Sequence, residues 1–135
     1  MSEESGDRPS LPHQRPGFAS LIGIEMTEVE PGFSRGEVTV REELLNPNEV
    51  LHGSVAHAMA DSGMGAALMT DLPDDHACAT IEIKCSYLRP VTEGRLVCET
   101  EVVNRGRSIA FLESEVRNDG RVVVTASGSF AIFEA

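Results

Sequence analysis

The sequence predicts an α+β domain in which a curved antiparallel sheet of about six strands wraps one long central helix. Two observations carry that expectation. Leu51 to Thr70 is rich in Ala, Met and Leu and poor in β-branched residues, long enough for five helical turns. The segments on either side alternate apolar and polar residues and are separated by Gly-bearing turns, the pattern of half-buried strands.

The elements follow in order. Residues 1–16 hold Pro9, Pro12 and Pro16 among polar residues and predict a mobile tail, leaving 17–135 as a single domain. Gly17 to Gly23 suits one or two helical turns. Ile24–Glu30 and Phe33–Arg41 read as strands joined at Pro31-Gly32, a turn dipeptide. Asn46, Pro47 and Asn48 break the chain before the long helix, and Leu72-Pro73-Asp74-Asp75 closes it. That helix carries a core-facing stripe of Val55, Met59, Ser62, Ala66 and Met69. Its other faces are Ala, Gly and Ser, so it should be buried by something large. Met59, Met64 and Met69 suit core filling or pocket lining. In the next strand Ala79, Ile81, Ile83, Cys85 and Tyr87 alternate with Thr80, Glu82, Lys84 and Ser86 up to Arg89-Pro90. Leu96–Asn104, Ser108–Arg117 and Arg121–Phe133 complete a meander through Gly106 and Gly120.

Composition narrows the function. The chain has 11 basic and 22 acidic residues, a net charge of −11, with one Tyr, five Phe and no Trp. A nucleic-acid binder needs a basic surface and usually stacking rings, and an anionic membrane would repel this chain. The charge is uneven: residues 1–75 carry a net −10 and residues 76–135 a net −1, so an anionic ligand belongs with the second half. Cys78, Cys85 and Cys98 form no C-x-x-C pair and indicate neither a disulfide framework nor a metal knuckle. No apolar run approaches the ~20 residues of a membrane span, and the N-terminus lacks signal-peptide order. The expectation is a soluble cytoplasmic protein without a bound metal.

Asp61 is the one carboxylate between Val50 and Thr70. An unpaired buried carboxylate costs several kcal/mol, so it needs a reason; exposure, or pairing with His57 one turn earlier, would be the plain one. The context before it suggests another. His52-Gly53-Ser54 stands at the helix start, where free N–H groups and the positive dipole end favour a polarised carbonyl. An ordinary cap would look the same. Gly53 and Asp61 are eight residues apart, or ~12 Å at ~1.5 Å per residue. Groups serving one reacting carbon must lie within roughly 6 Å of each other. If both act, the site is shared between two subunits, with antiparallel helices across a two-fold axis creating two equivalent sites.

Asn46-Pro-Asn-Glu-Val-Leu-His52-Gly53, with Asp61 nine residues after the His, and Thr80-Ile-Glu-Ile-Lys-Cys-Ser-Tyr-Leu-Arg-Pro90 resemble the hotdog-fold thioesterases of the PaaI-like (phenylacetic-acid-degradation) group. The resemblance spans about residues 17–133 in element order and is sharpest over 46–61. It implies hydrolysis of an acyl- or aroyl-coenzyme A, with coenzyme A part of the substrate and no separate cofactor. Asp61 would be nucleophile or general base, and the Gly53 N–H would polarise the thioester carbonyl beside His52. Asn46 would orient water or the leaving group, and Thr80, on the polar face of its strand away from Ile81 and Ile83, would position water. Ser54 departs from the usual His-Gly-Gly and should alter fit at the helix mouth. Arg89, Arg105 and Arg107 are the candidates for the coenzyme A phosphates. The resemblance implies a homotetramer built from dimers. Two other readings are a hydratase-dehydratase acting on enoyl or 3-hydroxyacyl thioesters, and a non-catalytic acyl-coenzyme A binding module.

Overall fold

A computed structural model describes residues 17–135; the tail expected over 1–16 lies outside the described residues. A short helix α1 (Phe18–Ile22) ends at Gly23, whose φ of 95° is the left-handed stop a helix C-terminus favours. Strands β1 (Glu25–Glu30) and β2 (Phe33–Thr39) form a hairpin through Pro31-Gly32. A 3-10 turn at Glu42–Leu44 leads to the long helix α2 (Gly53–Met69), followed by β3 (His76–Tyr87), β4 (Arg95–Arg105), β5 (Ile109–Asn118) and β6 (Arg121–Glu134). All strands pair antiparallel in one open sheet of order β1-β2-β4-β5-β6-β3. Asp119 (φ 52°) and Gly120 (φ 82°) make the tight β5–β6 turn.

The sheet curls because its ladders are interrupted. Register shifts fall at Met26/Glu28, Thr80/Glu82, Val102/Asn104 and Val116/Arg117, and each bulge bends its strand and increases twist. The concave face holds α2, which touches all six strands. One core cluster packs Val55 and Met59 against Val38, Leu96, Val116 and Val124; another packs Met64 and Leu68 against Leu112, Phe130 and Ile132.

Three boundaries differ from the sequence reading by two residues or more, and one face differs; β2 ends at Thr39 rather than Arg41. The helix begins at Gly53 rather than Leu51, because Leu51 bridges Leu45 and donates its N–H to Val91 O at 2.7 Å. Strand β3 starts three residues early, at His76. The core-facing side of α2 is broader than the expected stripe. Ser62 and Met69 are half-buried, while Ala60, Met64, Ala67 and Leu68 are fully enclosed. A sheet wrapped round a helix covers more than one row. The uncovered row is Ser54, His57, Asp61 and Gly65.

The tightest helix–sheet approach is at Gly63. Ser34 Oγ donates to Gly63 O at 2.7 Å, and Thr100 and Ser114 share a 2.6 Å hydrogen bond beneath it. A Cβ at 63 would stand 2.8 Å from Thr100 Oγ1, whereas one at Gly65 would meet nothing among the described residues within 4 Å. The same substitution two residues apart should therefore have opposite signs. Gly65→Ala is expected to stabilise by about 1 kcal/mol through helix propensity. Gly63→Ala should destabilise by about 1 kcal/mol or more, since overpacking outweighs that gain. Urea midpoints at fixed protein concentration, with unchanged slope, check both.

Candidate active site

The loop before α2 is braced by its own side chain. Asn46 Oδ1 accepts from the Asn48 N–H at 2.8 Å and the Val50 N–H at 3.4 Å, and the Asn46 N–H donates to Val50 O at 2.7 Å. Asn46 thus commits its oxygen to loop shape and keeps its amide N–H groups for other partners. Glu49 in the same loop has φ 64°, a left-handed conformation that costs a non-glycine residue of order 1 kcal/mol.

His52 is the helix cap. Its Nδ1 accepts from the Ser54 N–H at 3.0 Å, so Nδ1 is unprotonated and the neutral ring carries its proton on Nε2. Ser54 thereby spends its N–H within the cap. The Gly53 N–H has no acceptor among the described residues, leaving it and His52 Nε2–H as donors at the helix mouth. Over Gly53 lies a residue absent from the sequence reading of the site. Tyr87 OH donates to Gly53 O at 2.9 Å, and a Cβ at 53 would come within 3.1–3.3 Å of the Tyr87 ring. Partial burial first, and then Cys85 beside it, push the Tyr87 phenol above its ordinary pKa, so it stays a donor. Its only signal in the sequence is its place as the last residue of a strand. Tyr87, Leu88, Arg89, Leu51 and Val124 line a cavity of about 320 Å³ against Gly53.

Asp61 sits half-buried in the third turn of α2. Its Oδ1 accepts from Thr80 Oγ1 at 2.8 Å, and among the described residues Oδ2 has no partner. His57 is exposed and makes no bond to Asp61 among those residues, so the plain pairing is not formed. Thr80 reaches the carboxylate because of the bulge in β3. It pairs with Phe130 and Ile83 with Gly128, both core-facing, while Ile81 between them is the extra residue and is 52% exposed. Thr80 therefore shares the helix-facing side with Ile83, which corrects the polar-face assignment. A cavity of about 340 Å³ opens beside Asp61, walled by Gly65, Ala66, Met69, Cys78 and Phe130. Burial first, and then the Asp61 charge, raise the Cys78 pKa, so this wall is a neutral thiol. Cys98, deeper in the core, is pushed up to about 11 by burial.

The two half-sites do not meet within one chain. Helix α2 is unbroken from Gly53 to Met69, so Gly53 and Asp61 lie ~12 Å apart along it. The arginines divide the same way. Arg89 lines the Gly53 cavity, whereas Arg105 lies in the row Arg105–Ala110–Phe130–Thr80 at the Asp61 end. From Thr80 to Tyr87 is roughly 20 Å of strand, so one protomer does not gather Arg89, Arg105 and Arg107 around one phosphate group. Arg105 is also paired with Asp71 at 3.1 Å, while Arg107 is exposed in the hairpin tip. Among the described residues no cluster of three His, Cys, Asp or Glu could hold a metal ion. No helix among them is long and apolar enough to cross a membrane.

Comparison with known proteins adds an independent observation. Residues 48–125 match the family model described as Thioesterase superfamily. A protein of Archaeoglobus fulgidus, provisionally named an esterase, is 31% identical over 111 residues, 81% of this chain and 70% of that one. The 1,4-dihydroxy-2-naphthoyl-CoA hydrolase of Listeria monocytogenes is 24% identical over 103 residues, 76% of this chain and 84% of that one. Among solved structures, a conserved protein of Pseudomonas aeruginosa superposes with a TM-score of 0.87 at 26% identity, covering 93% of this chain and all of the other. A mutant of the phenylacetic acid degradation protein PaaI from Thermus thermophilus gives 0.78 at 24%, covering 84% and 96%, and shares the fold.

Proposed function

The chain belongs to the thioesterase superfamily, and from that premise we propose that it hydrolyses an acyl- or aroyl-coenzyme A to free acid and coenzyme A. The observation that carries this reading is Asp61: a carboxylate in the middle of a nearly enclosed helix, oriented by Thr80 at 2.8 Å, its second oxygen without a partner among the described residues and beside a largely apolar cavity. A helix interior gives up a favourable burial to keep such a group, and a thioester carbonyl in that cavity is what it would face.

In the proposed reaction the carbonyl oxygen sits at a helix N-terminus, taking the Gly53 N–H and the His52 Nε2–H as donors. Charge developing on that oxygen is stabilised by donors already in place. Asp61 either attacks the carbonyl carbon or takes a proton from water that does so, and Thr80 holds the carboxylate for either role. The C–S bond then breaks and coenzyme A leaves as its thiolate, which takes up a proton; where Asp61 is the nucleophile, water then cleaves the mixed anhydride, releasing the acid and restoring the carboxylate. Asn46, whose amide N–H groups have no acceptor among the described residues, is the candidate to orient water or the leaving group. Coenzyme A arrives with the substrate, and no step calls for a further cofactor.

The ~12 Å between the donors and Asp61 supports a site shared by two subunits. The exposed side chains Ser54 and His57 suit a second α2 running antiparallel and crossing near His57, and β3, twelve residues long, pairs among the described residues on one side alone, with β6. The same exchange would bring Arg89 of one subunit to the sheet end that carries Arg105 and Arg107 of the other, where they could share the coenzyme A phosphates. The dimer, its pairing into a tetramer and a cytoplasmic setting are parts of this proposal. Thiol release from a panel of about ten acyl- and aroyl-coenzyme A thioesters tests the activity, and silence across the panel would sink it. Sedimentation at micromolar concentration tests the assembly; a monomer there would contradict the shared site.

A further inference from the structure

Helix α2 holds three glycines in its first thirteen residues, and two have a neighbour that demands them. Gly53 lies under the Tyr87 ring, and Gly63 lies against Thr100 and Ser34. Gly65 has no such neighbour among the described residues: a Cβ there would meet none of their atoms within 4 Å. A helix interior disfavours glycine, so something outside the protomer's own packing should approach its backbone. Gly65 is one turn beyond Asp61 on the same helix face and lines the same cavity.

We infer that Gly65 sets acyl-chain length: an unbranched, medium-length acyl group runs from the carbonyl at Asp61 along the bare backbone of Gly65 toward Met69. This rests on the thioesterase reading. The walls suit such a chain. Ala66, Met69 and Phe130 are apolar, Cys78 is a neutral thiol, and Ala19 of α1 closes one side. Asp61 to Met69 spans eight residues, a path of ~12 Å, and Met69 at its far end is half-buried and adaptable. A cavity of about 340 Å³ is at the small end for ligand sites, enough for an acyl group without its coenzyme. A partner helix packed directly on Gly65 is the competing occupant. It would fill the space beside the free Asp61 oxygen that the substrate needs.

A graded series, Gly65→Ala, Gly65→Val and Gly65→Leu, tests the inference on acetyl-, butyryl-, hexanoyl- and octanoyl-coenzyme A, with sedimentation of each variant. Each displaced methylene is worth about fourfold in kcat/KM. Gly65→Val should therefore lower octanoyl turnover at least about tenfold relative to acetyl, with the oligomer unchanged. Gly65→Ala should shift the same ratio by about fourfold, which keeps the test available if a larger side chain impairs folding. A ratio that stays flat across chain lengths in an active, assembled variant would overturn the role of Gly65 and leave the thioesterase reading standing. Loss of the oligomer together with all activity would assign Gly65 to the subunit contact and overturn it as well. Wild-type protein silent on every thioester would overturn both.

Discussion

Asp61→Asn is expected to lower kcat for thioester hydrolysis by about 10²- to 10⁴-fold, roughly 3–5 kcal/mol of transition-state stabilisation, while leaving the fold and assembly intact. The substitution isolates chemistry from structure because Asp61 does little structural work. It is half-buried, and its one bond among the described residues is the 2.8 Å contact from Thr80 Oγ1. Asn keeps an oxygen that can accept that bond and fills the same space, but it is neither a nucleophile nor a base. Stopped-time thiol release and the thermal midpoint should be measured on the same preparation. Undiminished turnover would remove Asp61 from the reaction, and a collapsed midpoint would show that the carboxylate holds the helix in place.

Gly53→Pro should cost about 10²- to 10³-fold in kcat, the range for losing one preorganised donor to an oxyanion. The backbone accommodates the ring. Gly53 is the first helical residue, where Pro is favoured, and His52 has φ −65° and ψ 130°, the extended conformation a residue before Pro adopts. The new side chain crowds Tyr87, so Gly53→Ala, which crowds it equally and retains the N–H, is the reference. The ratio of the two variants reports the N–H alone. The pair also tests sharing. In a mixed dimer of Gly53→Pro and Asp61→Asn subunits, one site collects both lesions and the other collects none. Random exchange between two nearly inactive proteins should then recover about a quarter of wild-type activity. No recovery, with exchange verified by mass, would place each whole site within one chain.

The separation behind that experiment was legible from the sequence because helical rise does not depend on tertiary context. Eight residues of uninterrupted helix separate Gly53 from Asp61 whatever surrounds them. Strand positions were legible for a similar reason, since period-two alternation and Gly-bearing turns are local signals. What escaped was set by distant parts of the chain. The face of Thr80 depends on a bulge defined only by pairing with Phe130, fifty residues later. Tyr87 covers Gly53 from another element, and His52 caps through one ring nitrogen that spacing does not identify. Arg89 and Arg105 looked like neighbours because both follow strands. Antiparallel order sends the ends of β3 and β4 to opposite rims of the sheet.

The position of β6 bears on how the molecule is made. Strand β3 is third in the sequence but last of six in the sheet, because β6 sits between it and β5. Residues 76–87 thus emerge from the ribosome long before residues 121–134, against which they pair. Until then the strand carrying Thr80 and Tyr87 has no strand partner among the described residues, and both of its hydrogen bonds to the helix await the last strand to be synthesised. Such late, non-local pairing is slow and exposes an apolar edge to aggregation. The half-sites would be completed after the rest of the domain, and a substitution in β6 far from any substrate could reduce the yield of competent enzyme without altering the enzyme that forms.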